Sequence, residues 1–270
     1  IKTYVFSLKK LGISDEEDID FIHYPNEIFD EIKDMKSSQQ RNLLSSVLII
    51  IKAKKMGDEL YEIYRKKCFE LGEEFNLEQS KNEKSETQEK NWVKMSQLIK
   101  IANKKYKQSP GSQDTLITSL YALQPPSRLD YYDMKLVRSE AELNDKKNFL
   151  LIHNTRRKEF IFNDYKSSNK YNTVRVPVSK ALNKVINKFL KLNPDREFLL
   201  QSKKGVHLSR NLLGKLIPRA FAETGKHVSL NIIRHVYISE KVDIDAVKSC
   251  NTLAANMMHS HATQLNYAKV

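Results

Sequence analysis

The segment Met257-Met258-His259-Ser260-His261-Ala262-Thr263-Gln264-Leu265-Asn266-Tyr267 sets a histidine, His259, eight residues before a tyrosine. Upstream, Arg234 follows Asn231-Ile232-Ile233 just inside a helix start at Ser229, and Arg128 follows the break Pro125-Pro126-Ser127. Between the two arginines a polar turn, Tyr165 to Asn172, carries Lys166 and Lys170. A phenol is a nucleophile, a guanidinium fork matches phosphate oxygens, and an imidazole or ammonium donates to an oxygen that gains charge or leaves. Each segment alone is a weak signal. The order Arg, Lys, Arg, His, Tyr is the informative feature, and phosphodiester transfer is a chemistry that uses all five groups.

Positioning them requires a particular set of elements. Residues 1–75 carry apolar side chains at three- and four-residue steps, as in Tyr4-Val5-Leu8-Leu11, Ile28-Phe29-Ile32-Met35, Leu43-Leu44-Val47-Leu48-Ile51 and Leu60-Ile63-Tyr64. Breaks at Gly12, Pro25, Ser37 and Gly57 divide this pattern into a bundle of about four helices. Leu77 to Lys90 is polar and reads as a linker or an exposed helix end. The expected division is therefore a helical domain over 1–78, a linker over 79–91 and a second domain over 92–270. The second domain opens with helices around Trp92–Tyr106 and after Ser112. The period then changes, and Phe149–Ile152, Glu159–Phe162 and Thr173–Val178 predict three short strands. Helix starts follow at Ser179, Ser209, Ser229 and Asp243. The fold class is mainly α with a small antiparallel sheet, an α+β arrangement.

The chain has 270 residues and a formal net charge of +13, unevenly placed. Residues 1–80 hold 12 basic and 16 acidic side chains, whereas 81–270 hold 34 and 17. That excess points to a polyanionic partner. Inside the acidic part, Lys52, Lys54, Lys55 and Arg65 form a second basic cluster, read either as a DNA-facing patch or as a solvated helix face. Cys68 and Cys250 lack the spacing of a zinc site or disulfide framework, and no apolar run approaches a bilayer span. There is no P-loop or glycine-rich phosphate cradle, so no ATP use, cofactor or metal is expected. Ile1 in place of Met, with no basic-then-apolar leader, predicts a piece of a longer intracellular protein.

The phrase Pro125-Pro126-Ser127-Arg128-Leu129-Asp130-Tyr131-Tyr132-Asp133-Met134, together with Met258-His259-Ser260, Gln264 and Tyr267-Ala268-Lys269, resembles the tyrosine recombinase and phage-type integrase family. The wording is closest to recombinases of large DNA viruses and their mobile elements, the virophage-like integrases. The likeness extends to the N-terminal bundle and to Lys90-Asn91-Trp92. It implies a core-binding helical domain and a catalytic domain clamped around double-stranded DNA. Strands would be cut and rejoined through a 3′-phosphotyrosine intermediate, for integration or excision.

The same resemblance implies the roles. Tyr267 would be the nucleophile, Arg128 and Arg234 would clamp the phosphate, and His259 would donate to it. Lys166, with Lys170 as rival, would protonate the leaving 5′-oxygen. Asn231 stands where the family usually has His, and can hydrogen-bond a phosphate without shuttling a proton. The His–Tyr spacing is eight where many members have nine. Family analogy implies a homotetramer on two DNA sites and a monomer off DNA, acting in the host nucleus or at a viral replication site if the source is viral. Two alternatives remain open: a catalytically weak or inactive recombinase-derived DNA-binding protein, and a telomere-resolvase or type IB topoisomerase-like enzyme.

Overall fold

The computed structural model describes residues 19–258 and Ser260. The expectations placed on Tyr4–Leu11, His259 and Tyr267 lie outside these residues. The chain divides into two compact units, residues 1–84 and 85–270.

In the first unit three helices follow a 3-10 turn at Asp20–His23: α1 (Pro25–Ile32), α2 (Ser37–Lys54) and α3 (Asp58–Ser80). Leu43, Leu44, Val47 and Ile51 line one face of α2 and are buried with Ile22, Ile28, Ile32, Tyr64 and Leu71. Tyr64 is fully buried, its hydroxyl donates to the Ile22 carbonyl at 2.9 Å, and burial pushes its pKa well up. α2 stops because Lys55 turns left-handed (φ 54°), letting the Met56 amide reach back to the Ile51 carbonyl, and Gly57 follows at φ 104°. The polar stretch around residue 80 is more regular than its composition suggests. α3 runs on to Ser80, and α4 (Glu86–Asn91) starts on a capping box in which Ser85 and Gln88 satisfy each other's amides.

The second unit contains α5 (Met95–Gln108), α6 (Gln113–Ala122), four strands, the one-turn α7 (Ser168–Tyr171), α8 (Lys180–Leu192), α9 (Arg210–Ala220), α10 (Leu230–Lys241) and α11 (Ile244–Asn256). Eight of the ten residues of α6, Thr115 to Ala122, are buried, so this helix runs through the core. The expected starts of the last four helices are N-caps: Ser179, Ser209, Ser229 and Asp243 each accept a backbone amide of the following turn.

The sheet order is β1 (Lys135–Val137), β2 (Phe149–Ile152), β3 (Lys158–Phe162), β4 (Val174–Pro177). β2–β3 and β3–β4 pair antiparallel, but β1 lies parallel to β2, so the sheet is mixed rather than wholly antiparallel. Sequence periodicity misses β1 because it is three residues long. It is held by partners remote in sequence, with the Leu136 amide on the Glu197 carbonyl at 2.9 Å. The mainly helical α+β class stands. No helix among the described residues is long and apolar enough to cross a membrane.

Two buried polar side chains hold the sheet to its surroundings. Asn148, fully buried, donates from Nδ2 to the carbonyls of Asp130 (3.1 Å) and Asp164 (2.9 Å). Its Oδ1 accepts from the amides of Asn163 (2.8 Å) and Asp164 (2.9 Å). Lys158, 3% exposed, donates to Asn183 Oδ1 (2.8 Å), Asn187 Oδ1 (2.5 Å) and the carbonyls of Asn154 and Thr155 (both 3.3 Å). Burial pulls the Lys158 pKa below the ordinary lysine value.

Both anchors can be tested by substitution. Asn148→Ala orphans two carbonyls and two amides, and calorimetry should show a loss of at least about 2 kcal/mol. Asn148→Asp, which sets carboxylate oxygen against carbonyl oxygen, should fare no better. For Lys158 the folded-state pKa lies below the unfolded one, so the unfolded chain binds more protons between the two values and folding gains stability as pH rises through that window. The stability difference between the parent and Lys158→Met should therefore grow in the parent's favour as pH climbs toward about 10. A pH-independent difference would mean that Lys158 titrates alike in both states.

Candidate functional site

Arg128 lies on the irregular segment that leaves α6. The two prolines remove two amide donors from this stretch, and side chains from elsewhere bond several of its carbonyls. Gln124, 6% exposed, accepts the Ser179 amide on Oε1 at 3.2 Å, while the Ser179 hydroxyl donates to the Leu123 carbonyl at 2.9 Å. The hydroxyl of fully buried Tyr121 donates to the Arg128 carbonyl at 3.2 Å. Asn148 holds the Asp130 carbonyl, and Arg210 donates to Asp130 Oδ1 at 3.0 Å. The Arg128 backbone is thus anchored on both sides while its side chain is exposed.

Arg234, half-buried on α10, points at this same segment: its Nη1 donates to the Pro126 carbonyl at 2.8 Å. Among the described residues no carboxylate lies within 4 Å of either the Arg128 or the Arg234 guanidinium. A structural ion pair, the bland account of a half-buried arginine, is thus not what holds Arg234 among these residues.

The electrostatics agree with this placement. Tyr121 has its pKa raised well above the ordinary value, by burial first and then by Tyr131 and Asp130, with the Arg234 charge opposing. Tyr131 is pushed up to about 12, mainly by burial. Burial also raises Asp130, against the pull of Arg210 and Arg128. The Arg128 segment, Arg234, Tyr121 and Asp130 therefore share one neighbourhood.

The Lys166 turn is tied to the same place through the backbone. Asn148 binds both Asp130, two residues after Arg128, and Asp164, two residues before Lys166. The turn is partly helical: Lys166 is exposed in its first bend, and Lys170 sits on α7 with its ammonium 5.2 Å from the Tyr171 ring centre. Asn231 is exposed in the first turn of α10, and its side chain makes no hydrogen bond to another described residue. His259 and Tyr267 fall beyond α11, outside the described residues.

In the first unit Lys52, Lys54, Lys55 and Arg65 are all exposed. Arg65 is engaged by Glu62 at 2.7 Å, and Lys52 lies 6.0 Å from the Tyr61 ring centre. Among the described residues no group of three or more His, Cys, Asp or Glu side chains is placed to hold a metal ion.

Sequence reasoning missed the side chains that hold this neighbourhood together: Tyr121, Asn148, and the Asp130–Arg210 pair. The signal for Asn148 was a lone amide directly before the apolar run Phe149–Ile152. Chemically, the arrangement presents two guanidinium groups without carboxylate partners among the described residues, suited to an anion with several oxygens.

No family model matches the sequence, and no curated protein matches it. Among solved structures, one described as the crystal structure of XerA recombinase is similar over 88% of this chain and 75% of that chain, with a TM-score of 0.39 and 12% identity.

Proposed function

We propose that this protein is a tyrosine recombinase that breaks and rejoins double-stranded DNA. The observation that carries the reading is the Arg234 guanidinium on the Pro126 carbonyl, two residues before Arg128 and without a carboxylate partner among the described residues. The order of residue types in the sequence supplies the remaining groups.

In this reading Arg128 and Arg234 bind the non-bridging oxygens of one phosphodiester and stabilise the charge that develops on them. The Tyr267 phenol gives up its proton to water, its oxygen attacks phosphorus, the bond to the 5′-oxygen breaks, and a 3′-phosphotyrosine forms; the phenol takes a proton back from water on rejoining. The departing 5′-oxygen takes its proton from Lys166 or, failing that, Lys170, and leaves as a hydroxyl. His259 and Asn231 donate hydrogen bonds to the same phosphate. Rejoining is the reverse: a 5′-hydroxyl attacks the phosphotyrosine and returns the phenol. The bond energy stays in the linkage, so the cycle consumes no nucleotide.

The two domains would close around DNA, with Lys52, Lys54 and Lys55 of the first unit and Lys170 of the second on backbone phosphates, and tetramers would exchange strands between two sites. A binding-only protein is the second reading. It is favoured by one observation: Asn231 cannot relay a proton, and its side chain has no partner among the described residues.

Nicked duplexes from the ends of the parent element, incubated with the protein and then denatured, should yield a protein–DNA adduct. The adduct should vanish in Tyr267→Phe and fall by about 100-fold or more in initial rate in Arg128→Ala and Arg234→Ala. DNA binding without an adduct on any such substrate would move the assignment to the binding-only protein.

The proton donor is identified by a 5′-bridging phosphorothiolate at the scissile bond, because a thiolate leaves without protonation. Whichever of Lys166→Ala and Lys170→Ala is slow on the oxygen substrate and restored on the sulfur one marks the donor. Failure of both to be restored would remove lysine from that role.

A further inference from the structure

The outer face of α8 carries a row of cations that the proposed chemistry does not use. Lys180, Lys184, Lys188 and Lys191 recur at four-, four- and three-residue steps and so share one side of the helix over about 16 Å. All four are exposed. Leu182, Val185, Ile186 and Phe189 bury the opposite side. Facing the row is Arg156, on the turn between β2 and β3, and the space between them is an open groove of about 690 Å³.

The floor of this groove is built rather than incidental. Asn183 and Asn187, one turn apart, both donate from Nδ2 to the Thr155 carbonyl, at 2.9 and 2.7 Å. Their Oδ1 atoms both accept from the buried Lys158 ammonium. The turn bearing Arg156 is thereby fixed against α8, and a sixth positive charge lies beneath the floor. Among the described residues none of these six cations has a carboxylate within 4 Å. The Lys184 ammonium lies 5.8 Å from the centre of the Tyr106 ring.

So much like charge in one place is self-repelling unless a partner neutralises it. A protein partner would call for aromatic or aliphatic anchors and few lysines. The groove has no such anchor: besides the five cations it is lined by Thr155, Asn183 and Asn187. Evenly spaced ammonium groups without an apolar centre suit a chain of phosphates instead. At one charge per about 3.4 Å of axis for each strand, the row covers roughly five nucleotide steps.

We infer that the α8 groove binds the phosphate backbone of duplex DNA without regard to base sequence, as a contact surface separate from the Arg128–Arg234 neighbourhood. The inference goes beyond the reading above, because backbone binding needs neither Tyr267 nor those arginines. The row begins at the segment that leads to Arg128: Ser179, the cap of α8, bonds Leu123 and Gln124. Bound DNA would be held from that segment outward along α8.

The test is fluorescence anisotropy of the full chain on a labelled duplex of arbitrary sequence, across about 50–200 mM salt. The groove variant Lys184→Gln/Lys188→Gln/Lys191→Gln is compared with a charge-matched control, Lys146→Gln/Lys147→Gln/Lys203→Gln, whose lysines are exposed in loops of the same unit. Glutamine is as good a helix former as lysine, and circular dichroism confirms that both variants fold.

The groove variant should bind about tenfold or more weakly at low salt, with a salt slope shallower by about 2 to 3, close to one for each phosphate that is no longer neutralised. The control should change neither. Equal losses in both variants, or none in the groove variant, would overturn the inference. Unchanged DNA binding with altered self-association in sedimentation would also overturn it, in favour of an acidic surface of a second copy. Adduct formation by the Arg128→Ala and Arg234→Ala variants is scored separately, so the catalytic reading and the groove stand or fall independently.

Discussion

The segment from Leu123 to Asp130 is buried in places yet has neither helix nor strand to satisfy its backbone, and this constraint organises much of the second unit. Prolines at 125 and 126 remove two donors and prevent helix α6 from continuing. Ser127 bonds the Arg128 carbonyl from within the segment and the Tyr132 amide meets the Leu129 carbonyl, but four further bonds come from side chains of four different elements. Tyr121 reaches from α6, Ser179 from the cap of α8, Arg234 from α10, and Asn148 from the start of β2. A buried amide with all four bonds made is expensive to disturb, because every broken bond leaves a polar group with no water to turn to. The result is an irregular segment held from several elements, on which Arg128 is bonded at its backbone and exposed at its side chain.

The charge excess of this unit is sorted by the same structure. Some cations are consumed internally: Arg157 and Arg175 hold Glu159, which their proximity keeps below the usual carboxylate range, and Arg175 also reaches Glu140. Arg210 holds Asp130, Lys105 holds Asp114, and Lys104 holds Glu223. Among the described residues the cations without carboxylates include Arg128, Arg234 and the α8 groove, so net charge understates how locally the positive potential is presented. Exposed pairs such as Arg65 with Glu62 in the first unit contribute little stability, but they do remove a cation from the set available to a partner.

What was legible in the sequence was what is decided locally. Ser179, Ser209, Ser229 and Asp243 announce helix starts because a cap is made within three residues. The three longer strands announce themselves by composition. Non-local pairings carry no such signal. Arg234 and Pro126 are 108 positions apart, and periodicity cannot pair them. Lys158 lies just before the expected strand Glu159–Phe162 and gives no local sign of burial, yet it is buried with two amide oxygens, from Asn183 and Asn187 a turn apart on α8, presented to it. β1 is too short to show a period, and it is parallel because its partner strand follows after a crossover rather than a tight turn.

The tyrosines around the arginines bear on which phenol can react. A nucleophilic phenol must shed its proton and come within bonding distance of phosphorus, and a wholly buried ring with a raised pKa does neither readily. Tyr121 and Tyr131 are the phenols embedded in this neighbourhood, and both are fully buried with burial as the leading cause of a raised pKa. Tyr132 is shifted the same way, by burial and by Asp133. Tyr165 spends its hydroxyl on the Asn172 carbonyl at 2.7 Å. Tyr121 holds the Arg128 carbonyl, and the Tyr131 ring packs edge-on against the Tyr121 ring. In the reaction proposed above the attacking phenol is instead Tyr267, the tyrosine that the order of residue types supplies.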